Sequence, residues 1–266
     1  RDAGTPNCTW PIPALSHNPI SARWCRLGQS AFRPLISPPR LPAEGEIHVW
    51  VASLVVVADR RADLRAHLAP GEVERADRYR ISEPRERFVV ARGLLREILG
   101  GYLGLPPARL RFDQNAWGKP MLAGCAVPLH FNVAHTADVA LYAVAMDRPV
   151  GIDVEKIRPV EHLDQLVARY FSPAEQAAFV GLRLSSRQKL FAFFATWVRK
   201  EAYMKARGEG FALPLAAFDV TVAPDEPPQL LADRHHPDDW ARWTLRDLPV
   251  VSDYRASLAI RGAIDE

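Results

Sequence analysis

Cysteine is scarce in this chain, with only Cys8, Cys25 and Cys125 among 266 residues. Three scattered thiols build neither a disulfide framework nor a zinc site, so a reducing compartment is expected. Long hydrophobic runs are missing as well, and nothing approaches the ~20 apolar residues needed to cross a bilayer. The N-terminus lacks the charged-then-apolar pattern of a secretory signal. The expected location is therefore the cytoplasm, away from membranes. No basic run or RNP-like aromatic motif occurs, which removes nucleic acid as an expected partner, and there is no Walker-type loop. Charge of one sign is also nearly absent in excess. The net charge is +3, with a pI near 8.9 because Arg outnumbers Lys, a balance that admits anionic ligands. What remains is ordinary globular composition, 48% hydrophobic and 24% charged. It can bury a sizeable core, as one large domain or two small ones.

Residues 1–45 carry eight prolines, at 6, 11, 13, 19, 34, 38, 39 and 42. Such a segment is expected to be extended, partly wrapped over the domain, or disordered, with Trp10, Ile12, Leu15, Trp24 and Phe32 as apolar anchors. Alternation then predicts a strand over 46–58. Helical spacing follows at 64–68, 72–79 and 83–102, the last ending in glycines. A short strand at 110–113, a turn at 115–120 and strands at 129–133 and 139–145 come next. Helices are expected at 163–171 and 173–184, the second opened by Ser172-Pro173-Ala174-Glu175, a capping pattern with proline at the first helical position. A long helix at 188–207 stops at Gly208 and Gly210. Strands at 218–222, 243–248 and 254–260 close the chain, with turns over 224–239.

Two stretches carry the chemistry. Val150-Gly151-Ile152-Asp153-Val154-Glu155 alternates apolar residues with two carboxylates. On a strand, residues two apart leave from the same face, so Asp153 and Glu155 stand side by side and repel unless a cation lies between them. In the long helix, Trp197, Glu201 and Lys205 recur every four residues and form one stripe. Brought together, Asp153, Glu155 and Glu201 make an all-oxygen set suited to Mg²⁺ and a phosphorylated ligand, with Lys200 and Lys205 nearby and Trp197 as buried support. The alternative for Glu201 and Lys205 is an ordinary helix-surface ion pair.

G-I-D-V-E followed by W-x-x-K-E-A-x-x-K, preceded by Gly118-Lys119-Pro120 and Phe131-Asn132-Val133-Ala134-His135-Thr136, resembles the Sfp-type 4′-phosphopantetheinyl transferases, from about residue 46 to the C-terminus. The resemblance implies an α+β fold of two similar subdomains, 46–149 and 150–266, related by a pseudo-twofold axis with the active site in the cleft between them, and a monomer. It implies transfer of the 4′-phosphopantetheine arm of coenzyme A to a serine of an apo acyl, peptidyl or aryl carrier protein, Mg²⁺-dependent, with release of adenosine 3′,5′-bisphosphate. Asp153, Glu155 and Glu201 would hold the metal, Glu201 and Lys205 would be catalytic, and Arg92, Lys119, Pro120, His135, Thr136, Asp153, Lys200 and Lys205 would bind the coenzyme. Within that set His135 is assigned to the 3′-phosphate and Arg92 and Lys119 to phosphate. Many relatives have serine where this chain has Ala134, which removes one hydroxyl donor.

Two other readings compete with this one. A Mg²⁺-dependent phosphohydrolase or nucleotidyl enzyme could use the same carboxylates, and an inactive carrier- or coenzyme-binding module could retain them. The carrier's docking surface is expected over 164–187, with Phe171 and Phe179 exposed beside arginines 169, 183 and 187 to steer an acidic partner.

Overall fold

The computed structural model describes residues 22–26 and 39–262. Most of the proline-rich segment, with Trp10, Ile12, Leu15 and Phe32, lies outside them. Strand β1 (Ala22–Arg26) runs parallel to β2 (Ile47–Ser53), and three helices follow, α1 (Ala58–Ala66), α2 (Pro70–Asp77) and α3 (Ser82–Leu103). A small antiparallel ribbon, β3 (Phe112–Gln114) with β4 (Pro120–Leu122), leads into the hairpin β5 (Leu129–Thr136) and β6 (Val139–Met146). These elements complete a sheet of order β1-β2-β6-β5.

The second half opens with β7 (Val150–Lys156) and the helices α4 (Leu163–Tyr170), α5 (Pro173–Gly181) and α6 (Ser186–Arg207). A ribbon of β8 (Phe218–Val220) with β9 (Leu230–Asp233) precedes β10 (Trp243–Asp247) and β11 (Tyr254–Arg261), which form a second sheet of order β10-β11-β7. The two halves repeat one plan. A first strand (β2, β7) is followed by a 22-residue helix (α3, α6) and then by a hairpin (β5–β6, β10–β11), whose last strand pairs with the first. The fold is mixed α and antiparallel β, built from two similar units.

Alternation along the strands decides the layering. Trp50, Ala52, Ala140, Tyr142 and Val144 face α3, while Ile47, Val49, Leu141, Ala143 and Ala145 face the second sheet. There they meet Val150, Ile152, Val154, Ala256, Leu258 and Ile260. Beyond the second sheet, Ala259, Trp243 and Leu245 pack on Ala202, Tyr203 and Ala206 of α6. The order is helices, sheet, sheet, helix. Strands buried on both faces read as nearly unbroken apolar runs, which explains the 46–58 and 139–145 stretches.

Three local expectations are corrected. The 46–58 run stops being a strand at Ser53, because residues from Ala58 already belong to α1. The segment 224–239, expected as turns, contains β9, whose partner β8 supplies the ladder that local composition does not show. The polar loop expected around 134–138 shrinks to Ala137-Asp138, since β5 runs on to Thr136. His135 and Thr136 are therefore strand residues.

Candidate active site

The site forms where β7, the edge strand of the second sheet, is covered by the last turns of α6. Gly151 makes the approach possible. A Cβ there would sit 2.1 Å from the Ala202 carbonyl oxygen and 2.3 Å from the Ala206 nitrogen, backbone atoms that cannot move aside cheaply. With glycine, α6 lies directly on the strand face from which Asp153 and Glu155 project. Glu201 and Lys205, one helical turn apart, come down onto the same face.

Electrostatics records the crowding. Asp153 is buried, with one oxygen accepting from Lys205 Nζ at 2.6 Å and the other, Oδ2, buried without a partner. Burial holds its carboxyl above the ordinary value despite Lys205. Glu155 is likewise raised, by burial first and then by the charge of Asp153. Glu201 is pushed up to about 7 by burial, with Asp153 and Glu155 adding to the rise and Lys205 opposing it. Burial is the largest cause at all three, and repulsion between the carboxylates adds to it at Glu155 and Glu201.

The expected metal set can be tested against this arrangement. Among the described residues no group of three or more His, Cys, Asp or Glu side chains is placed to hold a metal ion, so Asp153, Glu155 and Glu201 do not converge on one point, and Lys205 occupies one oxygen of Asp153. Yet the donors are all oxygen, Asp153 Oδ2 is unsatisfied, and two neighbouring carboxylates are disfavoured as anions. Mg²⁺ is ordinarily held by one or two carboxylates, waters and substrate phosphates rather than by an all-protein cage. The residues present fit such an ion.

Strand β5 borders the site, and it contributes a residue that sequence reasoning left without a role. Asn132 Oδ1 accepts from the Ile152 amide at 2.8 Å, joining the edge strands of the two sheets. Its signal was legible, since it is the polar residue within the apolar run 131–134. Thr136, four residues on, donates to Glu155 Oε2 at 3.1 Å and orients that carboxylate. His135 projects from the opposite side of β5 and is exposed. Partial desolvation and the charges of Lys205 and Arg87 hold its imidazole below the usual value. Arg87, which donates to Asp138 at 2.6 Å, was not singled out from the sequence. Its position became relevant only once α3 met the β5–β6 turn.

Four other residues expected to bind the coenzyme, Lys200, Lys119, Pro120 and Arg92, make no hydrogen bond or ion pair with Asp153, Glu155 or Glu201. Lys200 is fully buried, and its Nζ lies 2.6 Å from both oxygens of Glu175 and 2.7 Å from the Phe218 carbonyl. Consecutive helix residues leave about 100° apart. Arg199 therefore runs to Asp247 and the 221–226 loop, Lys200 to α5, and only Glu201 to β7. Lys119 donates to the carbonyls of Val150 at 3.0 Å and Ala206 at 3.2 Å, capping the C-terminal end of α6. Burial lowers its ammonium to about 8. Asn115 fixes the same turn through the amides of Trp117 and Lys119 and donates to Gly208 at 2.7 Å. Pro120 opens β4 opposite Gln114. Arg92 is engaged by Glu72 at 2.5 and 2.8 Å and lies over the Phe112 ring. Each of these three cations is committed to a protein partner.

Comparison with known proteins finds matches to both halves of the chain. Residues 149–259 match the model of the 4′-phosphopantetheinyl transferase superfamily, and residues 60–147 match one described as 4′-phosphopantetheinyl transferase, N-terminal. The chain is 37% identical over 231 residues to the 4′-phosphopantetheinyl transferase HetI of Nostoc sp., an alignment covering 86% of this chain and 93% of that one. It is 28% identical over 171 residues to the 4′-phosphopantetheinyl transferase Sfp of Bacillus subtilis, covering 64% and 74%. Over 214 residues it is 24% identical to the L-aminoadipate-semialdehyde dehydrogenase-phosphopantetheinyl transferase of Xenopus laevis, covering 74% and 68%.

Proposed function

The chain belongs to the 4′-phosphopantetheinyl transferase superfamily, and from that premise we propose that it transfers the phosphopantetheine arm of coenzyme A to a serine of an apo carrier protein. The serine oxygen attacks the β-phosphorus of the coenzyme. The bond from that phosphorus to the oxygen bridging it to the α-phosphate breaks, and adenosine 3′,5′-bisphosphate leaves with the bond's electron pair. The observation that carries the reading is the buried carboxylate set of Asp153, Glu155 and Glu201 with Lys205 among them.

Glu201 is suited to take the serine proton, because burial raises its carboxyl in the metal-free protein and it shares a face with Asp153, Glu155 and Lys205. Lys205 Nζ places positive charge where the pyrophosphate bond breaks. A magnesium ion held by Asp153, Glu155 and Glu201, the last directly or through water, would supply further neutralisation of the pyrophosphate oxygens. Thr136 keeps Glu155 turned toward the site. His135, neutral in the free protein, gains its proton as the coenzyme's 3′-phosphate arrives and then donates to it. Lys119, Lys200 and Arg92 act at a distance, by fixing the turn, α6 and α2 against their neighbours. The division into units at residues 149/150 is part of the same proposal, as is function as a monomer in the cytoplasm.

Incubation with coenzyme A, Mg²⁺ and a panel of apo acyl, peptidyl and aryl carriers, followed by intact-mass measurement, tests the reading. A carrier gains the mass of phosphopantetheine, and chelator prevents it. Coenzyme cleavage with no mass gained by any carrier would replace transfer by hydrolysis.

A further inference from the structure

Phe171 and Phe179, expected at the surface of the 164–187 segment, are buried instead among α4, α5 and α6. A polar side chain beside the carboxylates still without a function stands elsewhere, on β5. Asn132 is buried, and the free edge of β7 explains why an amide sits there.

β7 ladders with β11 along one edge only. In an antiparallel pair, alternate residues turn their N–H and C=O groups away from the partner strand, here Val150, Ile152 and Val154. Among the described residues no strand meets them there. Lys119 Nζ donates to the Val150 carbonyl at 3.0 Å, Asn132 Oδ1 accepts from the Ile152 amide at 2.8 Å, and the Val154 amide donates to the Asp153 carboxyl. Side chains thus stand in for a neighbouring strand, and the first two come from the preceding half of the chain. Asn132 holds the strand between Gly151, where α6 presses down, and Asp153.

A strand bonded on one side can rock about its ladder. Rocking β7 about β11 changes the height at which Asp153 and Glu155 leave it, relative to Glu201 and Lys205 on α6. Thr136 steadies one end of the set, through the Glu155 side chain. Asn132 ties the backbone itself, at the residue preceding Asp153. An amide oxygen suits the place, because it accepts without adding a fourth negative charge to three carboxylates that burial already disfavours as anions.

We infer that Asn132 is a positioning residue for the transfer, pinning the free edge of β7 through Ile152 and so setting the directions in which Asp153 and Glu155 face the ion and the pyrophosphate. It acts through the backbone rather than by contact with either. Groups that orient metal-binding side chains from outside change metal affinity or activity by roughly 10- to 100-fold when removed. The inference rests on the transferase reading above, and the experiment separates the two.

Asn132→Leu keeps the branched shape and removes the acceptor, whereas Asn132→Asp keeps the acceptor. Folded protein is followed by NMR exchange of the Ile152 amide, by calorimetric Mg²⁺ affinity in the presence of coenzyme A, and by transfer to an apo carrier that the wild type modifies. In the leucine variant the Ile152 amide is expected to lose protection, Mg²⁺ to bind roughly tenfold or more weakly and kcat to fall by a similar factor, with KM for the carrier unchanged. The aspartate variant should keep both the protected amide and the Mg²⁺ affinity. A merely structural asparagine would lower the melting temperature of the leucine variant and leave its Mg²⁺ affinity as in the wild type. That result, or equal loss in both variants with Ile152 still protected, overturns the inference. Should leucine prevent folding, Asn132→Ser, one bond too short to reach Ile152, is expected to show the same losses, and its wild-type behaviour would overturn the inference equally. A wild type that modifies no carrier overturns the transferase instead, while the amide and metal readouts, which need no carrier, still decide the role of Asn132.

Discussion

Asp153 has one oxygen on Lys205 and the other on nothing, and its folded-state carboxyl is raised above that of the unfolded chain. Ionisation therefore costs stability at neutral pH, and that stability returns as pH falls through the folded value. Asp153→Asn removes the charge and keeps the shape, while Lys205 remains partly exposed and can be hydrated. Transfer should be lost with the thermal midpoint unchanged or higher, a trade seen where active sites are strained. Melting curves at pH 7 beside a turnover assay decide it; an active variant melting several degrees lower would refute the assignment. His135 makes the second residue-scale case. A charge-assisted hydrogen bond is worth roughly 1.5–3 kcal/mol, so the wild type should use dephospho-coenzyme A on the order of ten- to a hundredfold less well, mostly through KM. His135→Ala should erase most of that preference. Retention of the full preference would leave His135 a bystander at the strand's edge.

At the scale of elements, the contact between α6 and β7 matters most, and Gly151 governs it. The site's carboxylates come from two elements that meet only because no Cβ intervenes. Gly151→Ala forces backbone apart on both sides of the seam, at about 3 kcal/mol by the upper range for overpacking. The expected variant is folded but less stable, with carboxylates spread and transfer down by far more than the loss of folded protein explains. Urea midpoint and activity per folded molecule are the measurements, and normal activity at a normal midpoint would show that α6 can shift at no cost. The consecutive charges of α6 teach the same lesson. Arg199, Lys200 and Glu201 are adjacent in sequence, but only Glu201 reaches the site, because a helix sends neighbours in different directions.

Across the whole molecule, buried lysines leave a mark on stability. Lys119 has an ammonium lowered to about 8 in the fold, against an ordinary 10.5. Between those values the unfolded chain holds a proton the folded one has released, so stability rises with pH, by up to about 1.4 kcal/mol per unit. Lys200, also lowered to about 8, adds in the same direction. Tyr142 and Tyr203 are both raised by burial, so above about pH 10 the unfolded chain loses protons first and stability falls again. Urea midpoints should climb from pH 8 toward 10 in the wild type. Lys119→Met, which has no proton to release, should flatten part of that climb; an identical slope would place Lys119 in water rather than under the seam.

Sequence alone determined the pieces whose cause is local. Strand and helix periodicities, the Ser172 cap confirmed by its bond from the Glu175 amide at 3.2 Å, the glycine stop at Gly208 and the i,i+2 and i,i+4 carboxylate spacings all follow from side-chain direction and backbone preference. Motif order alone was enough to suggest the family. Tertiary structure decided which protein groups the cations meet. Lys119, Lys200 and Arg92 look alike in sequence to Lys205, but whether a cation meets a carbonyl or a carboxylate depends on which surface its element is pressed against. The same holds for Asn132, whose partner Ile152 lies twenty residues on, and for Phe171 and Phe179, which are buried against α6. Long-range packing sets these outcomes, and neither period nor propensity encodes it.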